Sequence, residues 1–244
     1  MSKSSKSFKL TRSGPYIAFN VFWVLFVVFT ILLKFCDVAS IGANGTKVGF
    51  STINLAFNRA FNSNQSMYLV TELLGYLCLI IAMVNAIFAL ISLIRTKSLV
   101  RMNRLLLLTM ILYAAVVFFY VLFEFLVINF RPTDPEPSYP SSHTMLALCI
   151  LYSQSLLLKF LPYKSLLGRA GQVDDGYYES KGVFSNVLRW ACYFAMVVMV
   201  LFRAMCGVHF LTDIIGAVLL SVSLCCLYTA LFEDYLWKFT VLDR

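Results

Sequence analysis

Apolar residues fall in six long blocks, roughly 15–36, 68–94, 105–130, 145–162, 187–206 and 210–232, with short polar segments between them. Spanning a bilayer as a helix takes roughly 20 apolar residues, and these blocks meet or approach that length. The blocks are apolar on every side, so periodicity alone does not separate helix from buried strand. Their length does, together with the need to satisfy every backbone polar group inside lipid. The pattern predicts an all-α fold: a six-span transmembrane helical bundle forming a single domain over residues 1–244. The fourth block is short and the last two nearly touch, so their boundaries are the least defined.

Composition supports this reading. Hydrophobic residues make up 60% of the chain and charged residues 13%, against about 25% charged in a soluble domain. Val38-Ala39-Ser40 offers small residues after a basic start, as a cleaved signal would. The first block, however, is longer than the roughly 7–15 apolar residues of a signal core, so it is expected to remain as a span. In the link 37–67, the stretch Ile53–Phe61 has apolar residues at mixed helical spacing. A short surface helix and a loop both fit it.

The formal charge of +8 is concentrated between the spans, which marks topology rather than a nucleic-acid-binding face. Lys3, Lys6, Lys9 and Arg12 precede the first span, and Arg95, Lys97, Arg101 and Arg104 follow the second. Lys159, Lys164, Arg169, Lys181 and Arg189 surround the link after the fourth. Positive-inside then places both termini in the cytoplasm and the links 37–67, 131–144 and 207–209 outside. The chain is expected in the cell membrane, with the bilayer as its partner and no nucleic acid. Five of the seven cysteines (Cys78, Cys149, Cys192, Cys225 and Cys226) lie in apolar blocks, and no Cys/His spacing suggests zinc. Cys36 and Cys206 both approach the outer face.

The two histidines begin apolar blocks on that same face. Arg131-Pro132 opens a loop stiffened by Pro132, Pro135, Pro137 and Pro140. In Tyr139-Pro-Ser-Ser-His143, Ser141 or Ser142 can cap the fourth helix, whose free N–H groups form an anion site. His143 beside them is placed to protonate a leaving oxygen. His209 and Asp213 are four residues apart and share one helical face, so the carboxylate can fix one ring nitrogen and free the other for attack. Arg203 ends the preceding span. Taken singly, Arg131 fits an interfacial anchor and the serines fit a cap. The His–Asp pair at a bilayer edge is harder to explain as packing.

These segments resemble the three signature stretches of the type 2 phosphatidic acid phosphatase (PAP2) superfamily, Lys-x6-Arg-Pro, Pro-Ser-Gly-His and Ser-Arg-x5-His-x3-Asp. Arg131-Pro132 matches the end of the first, Pro140-Ser141-Ser142-His143 the second, and Arg203-x5-His209-x3-Asp213 the third. By motif the resemblance covers roughly 120–215, and by topology the whole chain. It implies a metal-independent membrane phosphatase without cofactor, acting on a lipid phosphate or diphosphate at the outer face. His209 would attack phosphorus to form a phosphohistidine, Asp213 would set its tautomer, and His143 would protonate the departing oxygen. Arg131, Arg203, Ser141, Ser142 and backbone N–H groups would hold the phosphoryl oxygens.

Three residues depart from the family pattern. Phe202 stands in place of serine, Ser142 in place of glycine, and Glu124 in place of the lysine seven residues before Arg131. Seven residues are two helical turns, so Glu124 is expected to face the same way as Arg131 and about 10 Å deeper. It would then orient Arg131 or Arg203, contact the substrate head group, or mark a site that has lost activity. Two other readings stay open: phosphoryl transfer to an acceptor other than water, and a non-catalytic lipid-binding protein. A transporter is disfavoured, since few polar residues apart from Glu124 fall at mid-bilayer.

Overall fold

The computed structural model describes residues 2–61, 64–99, 101–160 and 182–242, with side chains described over 13–234 of these. It contains α1 (Ser2–Phe35), α2 (Ser51–Ala60), α3 (Gln65–Thr96), α4 (Arg104–Leu126), α5 (Ser142–Phe160), α6 (Val183–Met205) and α7 (Leu211–Leu242). All but α2 contain a segment long and apolar enough to cross a membrane. Most of the link after the fourth span lies outside the described residues. None of the seven cysteines, Cys36 and Cys206 included, is in a disulfide.

Local signals set the helix ends. The Asn64 side chain accepts from the Met67 N–H at 3.1 Å and starts α3. Asn103 accepts from the N–H groups of Leu105 and Leu106 and starts α4. Each satisfies donors that the first helical turn leaves without partners. Lys97 and Val127 adopt left-handed backbone after α3 and α4, and each N–H closes the last turn of its helix.

That stop at Leu126 corrects the expected third span, which was carried to 130. Val127, Ile128 and Phe130 prolong the apolar run, but their backbone leaves the helix. The chain forms a loop in which Arg131 N–H donates to the Glu136 carbonyl and Ser138 N–H to that of Asn129, both at 3.0 Å. Hydropathy measures what a residue prefers to touch and not whether its backbone is helical.

Burial separates the spans into two kinds. Within α5 and α7, 56% of the spanning residues are buried, against 11–28% in the other four spans. These two helices form the centre of the bundle, and the others present their apolar faces to lipid. A central position also explains why α5 has the lowest hydropathy of the six: its neighbours are helices, so polar groups are tolerated where partners exist. Asn85 donates to Tyr113 and Gln154, each at 3.0 Å, Tyr113 bonds Ser153, and Thr109 bonds Tyr228. These bonds tie α3, α4, α5 and α7 together inside the membrane.

The stretch Ile53–Phe61, for which helix and loop both remained open, is helical up to Ala60 as part of α2, and it is fastened to the bundle. Asn54, fully buried, donates to the Gly49 carbonyl at 2.8 Å and to Thr212 Oγ1 at 2.9 Å. Its own side-chain oxygen accepts from the Thr212 N–H at 3.2 Å. One residue thus joins the segment after α1 to the first turn of α7. Replacing Asn54 by Ala strands these groups in a dry contact, at about 1–3 kcal/mol. Asn54→Ala is therefore expected to lower the melting temperature in detergent, whereas the exposed substitution Ile53→Ala in the same helix is expected to leave it unchanged.

Candidate active site

Asp213 stands in the first turn of α7, but His209 precedes that helix by two residues, so the pair does not share one helical face as its spacing suggested. The bend after Gly207 brings the ring to the helix start instead. His209 and Asp213 are almost completely buried, with His209 Nδ1 3.7 Å from Asp213 Oδ2. That separation is slightly too long for a hydrogen bond. Asp213 is held firmly from elsewhere: Oδ2 accepts from the Phe210 N–H at 3.1 Å and Oδ1 from Asn129 Nδ2 at 3.2 Å. Its backbone carbonyl accepts from the Ser141 N–H at 3.1 Å, which pins the start of α5 to the start of α7.

Neither ring nitrogen of His209 has a hydrogen-bond partner among the described residues. Its pKa is lowered, first by burial and further by the charges of Arg203 and Arg131, with Asp213 opposing. The ring is therefore held neutral with a lone pair available. Asp213 lies on the Nδ1 side, so Nε2 is the ring nitrogen turned away from the carboxylate.

The second pair is built differently. Arg203 Nη2 lies 3.2 Å from His143 Nδ1. A guanidinium only donates, so Nδ1 accepts and the proton of a neutral ring sits on Nε2. There it meets Glu72 Oε1 at 3.2 Å. The same oxygen is 2.9 Å from Arg203 Nη1, which also donates to Thr71 Oγ1 at 3.1 Å. The Tyr68 ring lies 5.5 Å from the guanidinium carbon.

Gly75 completes this wall. A Cβ there would come within 2.9 Å of His143 Cδ2, so the imidazole packs directly on the α3 backbone. Tyr68, Thr71, Glu72 and Gly75 are spaced i, i+3, i+4 and i+7 and so share one face of α3. Sequence reasoning passed over all four. The spacing was visible, but Glu72 stands as a lone acid in an apolar run without a motif to flag it.

Arg131 is on the loop after α4 and pairs with Glu136 at 3.3 Å and Asp134 at 3.7 Å. With His209, Ser142 and Glu124 it lines a small cleft of about 20 Å³. Ser142 also borders a larger cavity of about 240 Å³, next to His143 and Glu72 and between α3, α4 and α5. Ser141 lines neither: it is fully buried, and its hydroxyl accepts from Thr144 Oγ1.

The placement of Glu124 corrects the expectation that it sits deep on one helix face with Arg131. Because α4 ends at Leu126, the two residues are not on one helix. Glu124 is exposed and makes no ion pair among the described residues. It orients neither arginine: Glu72 takes that part for Arg203, and Asp134 and Glu136 for Arg131.

Comparison with known proteins identifies the family and the fold. The family model described as the PAP2 superfamily matches residues 110–237, slightly more than half of the chain. The chain belongs to the PAP2 superfamily. Its fold is similar to a crystal structure of a transmembrane PAP2-type phosphatidylglycerolphosphate phosphatase from Bacillus subtilis, with a TM-score of 0.57 and 16% identity over 89% of this chain and 96% of that one. No curated protein matches the chain.

In this PAP2 chain the matched segment carries His143, His209, Arg131, Arg203 and Asp213. The α3 wall and Asn54 lie outside it. Gly75→Ala tests that wall. A misplacement of about 1 Å can cost about 100-fold in rate, and here the imidazole must yield by some tenths of an ångström. A loss of about tenfold in kcat is expected, with the melting temperature little changed; unchanged turnover would remove Gly75 from the seating of His143.

Proposed function

We propose that this protein is a lipid phosphatase that hydrolyses a lipid phosphate monoester or diphosphate, with its site on the outer membrane face. The observation that carries the reading is the buried His209 with Asp213 beside it, near a second histidine that an arginine holds. His209 Nε2 attacks phosphorus while the bond to the lipid oxygen breaks, and His143 supplies the proton to that oxygen. Closure of the 3.7 Å gap to Asp213 stabilises the positive charge arising on His209. Water then attacks the phosphohistidine and releases inorganic phosphate, regenerating the histidine. Arg131, Arg203, Ser142 and backbone N–H groups at the start of α5 hold the phosphoryl oxygens.

Two features support the lipid nature of the substrate. The cavity of about 240 Å³ beside His143 has an apolar lining that includes Leu79, Val116 and Leu146, and α3, α4 and α5 belong to the membrane-spanning set. The outer-face location rests on the cationic segments at the opposite ends of the spans. The reaction is proposed to need no metal, as the family resemblance implies.

The direct test is phosphate release by the purified protein in detergent with EDTA, from phosphatidic acid, phosphatidylglycerol phosphate and a polyprenyl diphosphate. Release from at least one lipid is expected, and its loss by a factor of at least about 1,000 in His209→Ala, since the attacking atom is gone. Substantial turnover by that variant would exclude His209 as nucleophile.

The pH dependence has a definite sign. Attack requires unprotonated His209, and its pKa is lowered from the ordinary 6.5. Activity governed by this group is retained as pH falls through 6.5 and is lost only below it, as the folded-state pKa is crossed. The acid limb of kcat/KM is therefore expected under pH 6.5; a His209-dependent limb above that value would contradict a buried neutral ring.

A further inference from the structure

Both ring nitrogens of His143 are engaged, Nδ1 by Arg203 and Nε2 by Glu72. For His143 to reach a departing oxygen, one of these partners has to move. Arg203 is 3% exposed and is held by Thr71 and Tyr68. Glu72 is 20% exposed, lines the cavity of about 240 Å³ and has Gly75 one turn along its helix. Glu72 is thus the partner with room to leave.

The position of its carboxylate is informative. The single atom Oε1 lies 2.9 Å from Arg203 Nη1 and 3.2 Å from His143 Nε2. An anionic oxygen contacting a guanidinium and an imidazole at once is what a bound phosphoryl group presents. We propose that the Glu72 carboxylate stands in the place of a phosphoryl oxygen, and that phosphate binds by displacing it into the cavity between α3, α4 and α5. The proposal rests on the reading of Arg203 and His143 as phosphate-handling groups, and it assigns Glu72 as the residue that sets affinity for phosphate.

The physical reason is the arginine. A nearly buried guanidinium without a counter-charge is costly, and breaking such a pair by removing one partner is strongly destabilising. Glu72 neutralises Arg203 until phosphate takes its place, so one anion is exchanged for another and the cation is never left alone. The same exchange run backwards expels inorganic phosphate after hydrolysis. A carboxylate that competes for the position makes product binding weaker.

The test is binding of inorganic phosphate to the full-length protein in detergent, by calorimetry and thermal melting, for wild type, Glu72→Gln, Glu72→Ala and Arg203→Ala. A charge within about 4–6 Å of an ionic group shifts its equilibria by about one to three powers of ten, as a carboxylate beside an arginine shows. Both Glu72 variants are therefore expected to bind phosphate at least about tenfold more tightly than wild type. Their melting temperatures without phosphate are expected to fall and to be raised by phosphate more than that of wild type. A merely structural Glu72 would lower the melting temperature without tightening binding, and unchanged or weaker binding overturns the proposal.

Phosphate binding that survives Arg203→Ala undiminished would instead overturn the phosphate site itself. Absence of lipid hydrolysis alongside tighter binding by the variants would sink the proposed activity and leave this exchange standing. Should the Glu72 variants not fold, a phosphate-bound structure of the wild type decides. Glu72 turned into the cavity is expected, and Glu72 still on Arg203 beside a bound phosphate overturns the idea.

Discussion

The arrangement depends on the burial of one carboxylate. Asp213 is fully inaccessible at the mouth of a membrane bundle, where an unsatisfied charge would be severely penalised. Its oxygens are met by Asn129 and the Phe210 N–H, and its carbonyl by Ser141. Asn129 accepts in turn from the Gly49 N–H, and Asn54 links Gly49 to Thr212. Satisfying Asp213 therefore brings together the loop after α4, the segment after α1 and the starts of α5 and α7. His209 is positioned as a consequence.

The charges around the two histidines are handled in opposite ways. His209 has a carboxylate that is immobilised by other groups and stands just out of hydrogen-bond range. His143 has one, Glu72, that contacts it directly and borders open space. The first arrangement favours a neutral ring with a free lone pair. The second holds a proton on Nε2, on the side of the larger cavity. Both arginines also carry acidic neighbours, so this cationic site is largely neutralised by the protein itself, and a dianion entering it meets competition as well as attraction.

Lipid imposes a length and a composition on each span, and for that reason six apolar runs in the sequence became six membrane-crossing helices. The same signal failed at Leu126, because Val127, Ile128 and Phe130 are as apolar in a packed loop as in a helix. Glu124 was misplaced by that error: its proposed link to Arg131 assumed that the helix ran two full turns past Glu124, whereas it stops at Leu126. His143, His209, Asp213, Arg131 and Arg203 were legible because fixed local spacings join each to a motif. Asn54, Thr71, Glu72 and Asn129 were not, since each acts across 80 or more residues of chain. Within α3 the i, i+3, i+4, i+7 stripe was present, but a polar face in a span announces only that something polar is opposite.

The α3 stripe and the α2 fastening also bear on what constitutes a heritable unit in this protein. The stretch matched by the family model begins at residue 110, yet Asn54, Thr71, Glu72 and Gly75 all precede it. The signature stretches thus supply one half of the site, whereas the wall against which they press comes from a part of the chain that precedes the matched segment. Two proteins with identical signature stretches can therefore differ in how firmly they hold a phosphate. A chimera that exchanged only those stretches would transplant both histidines and both arginines without the carboxylate that now contacts Arg203 and His143.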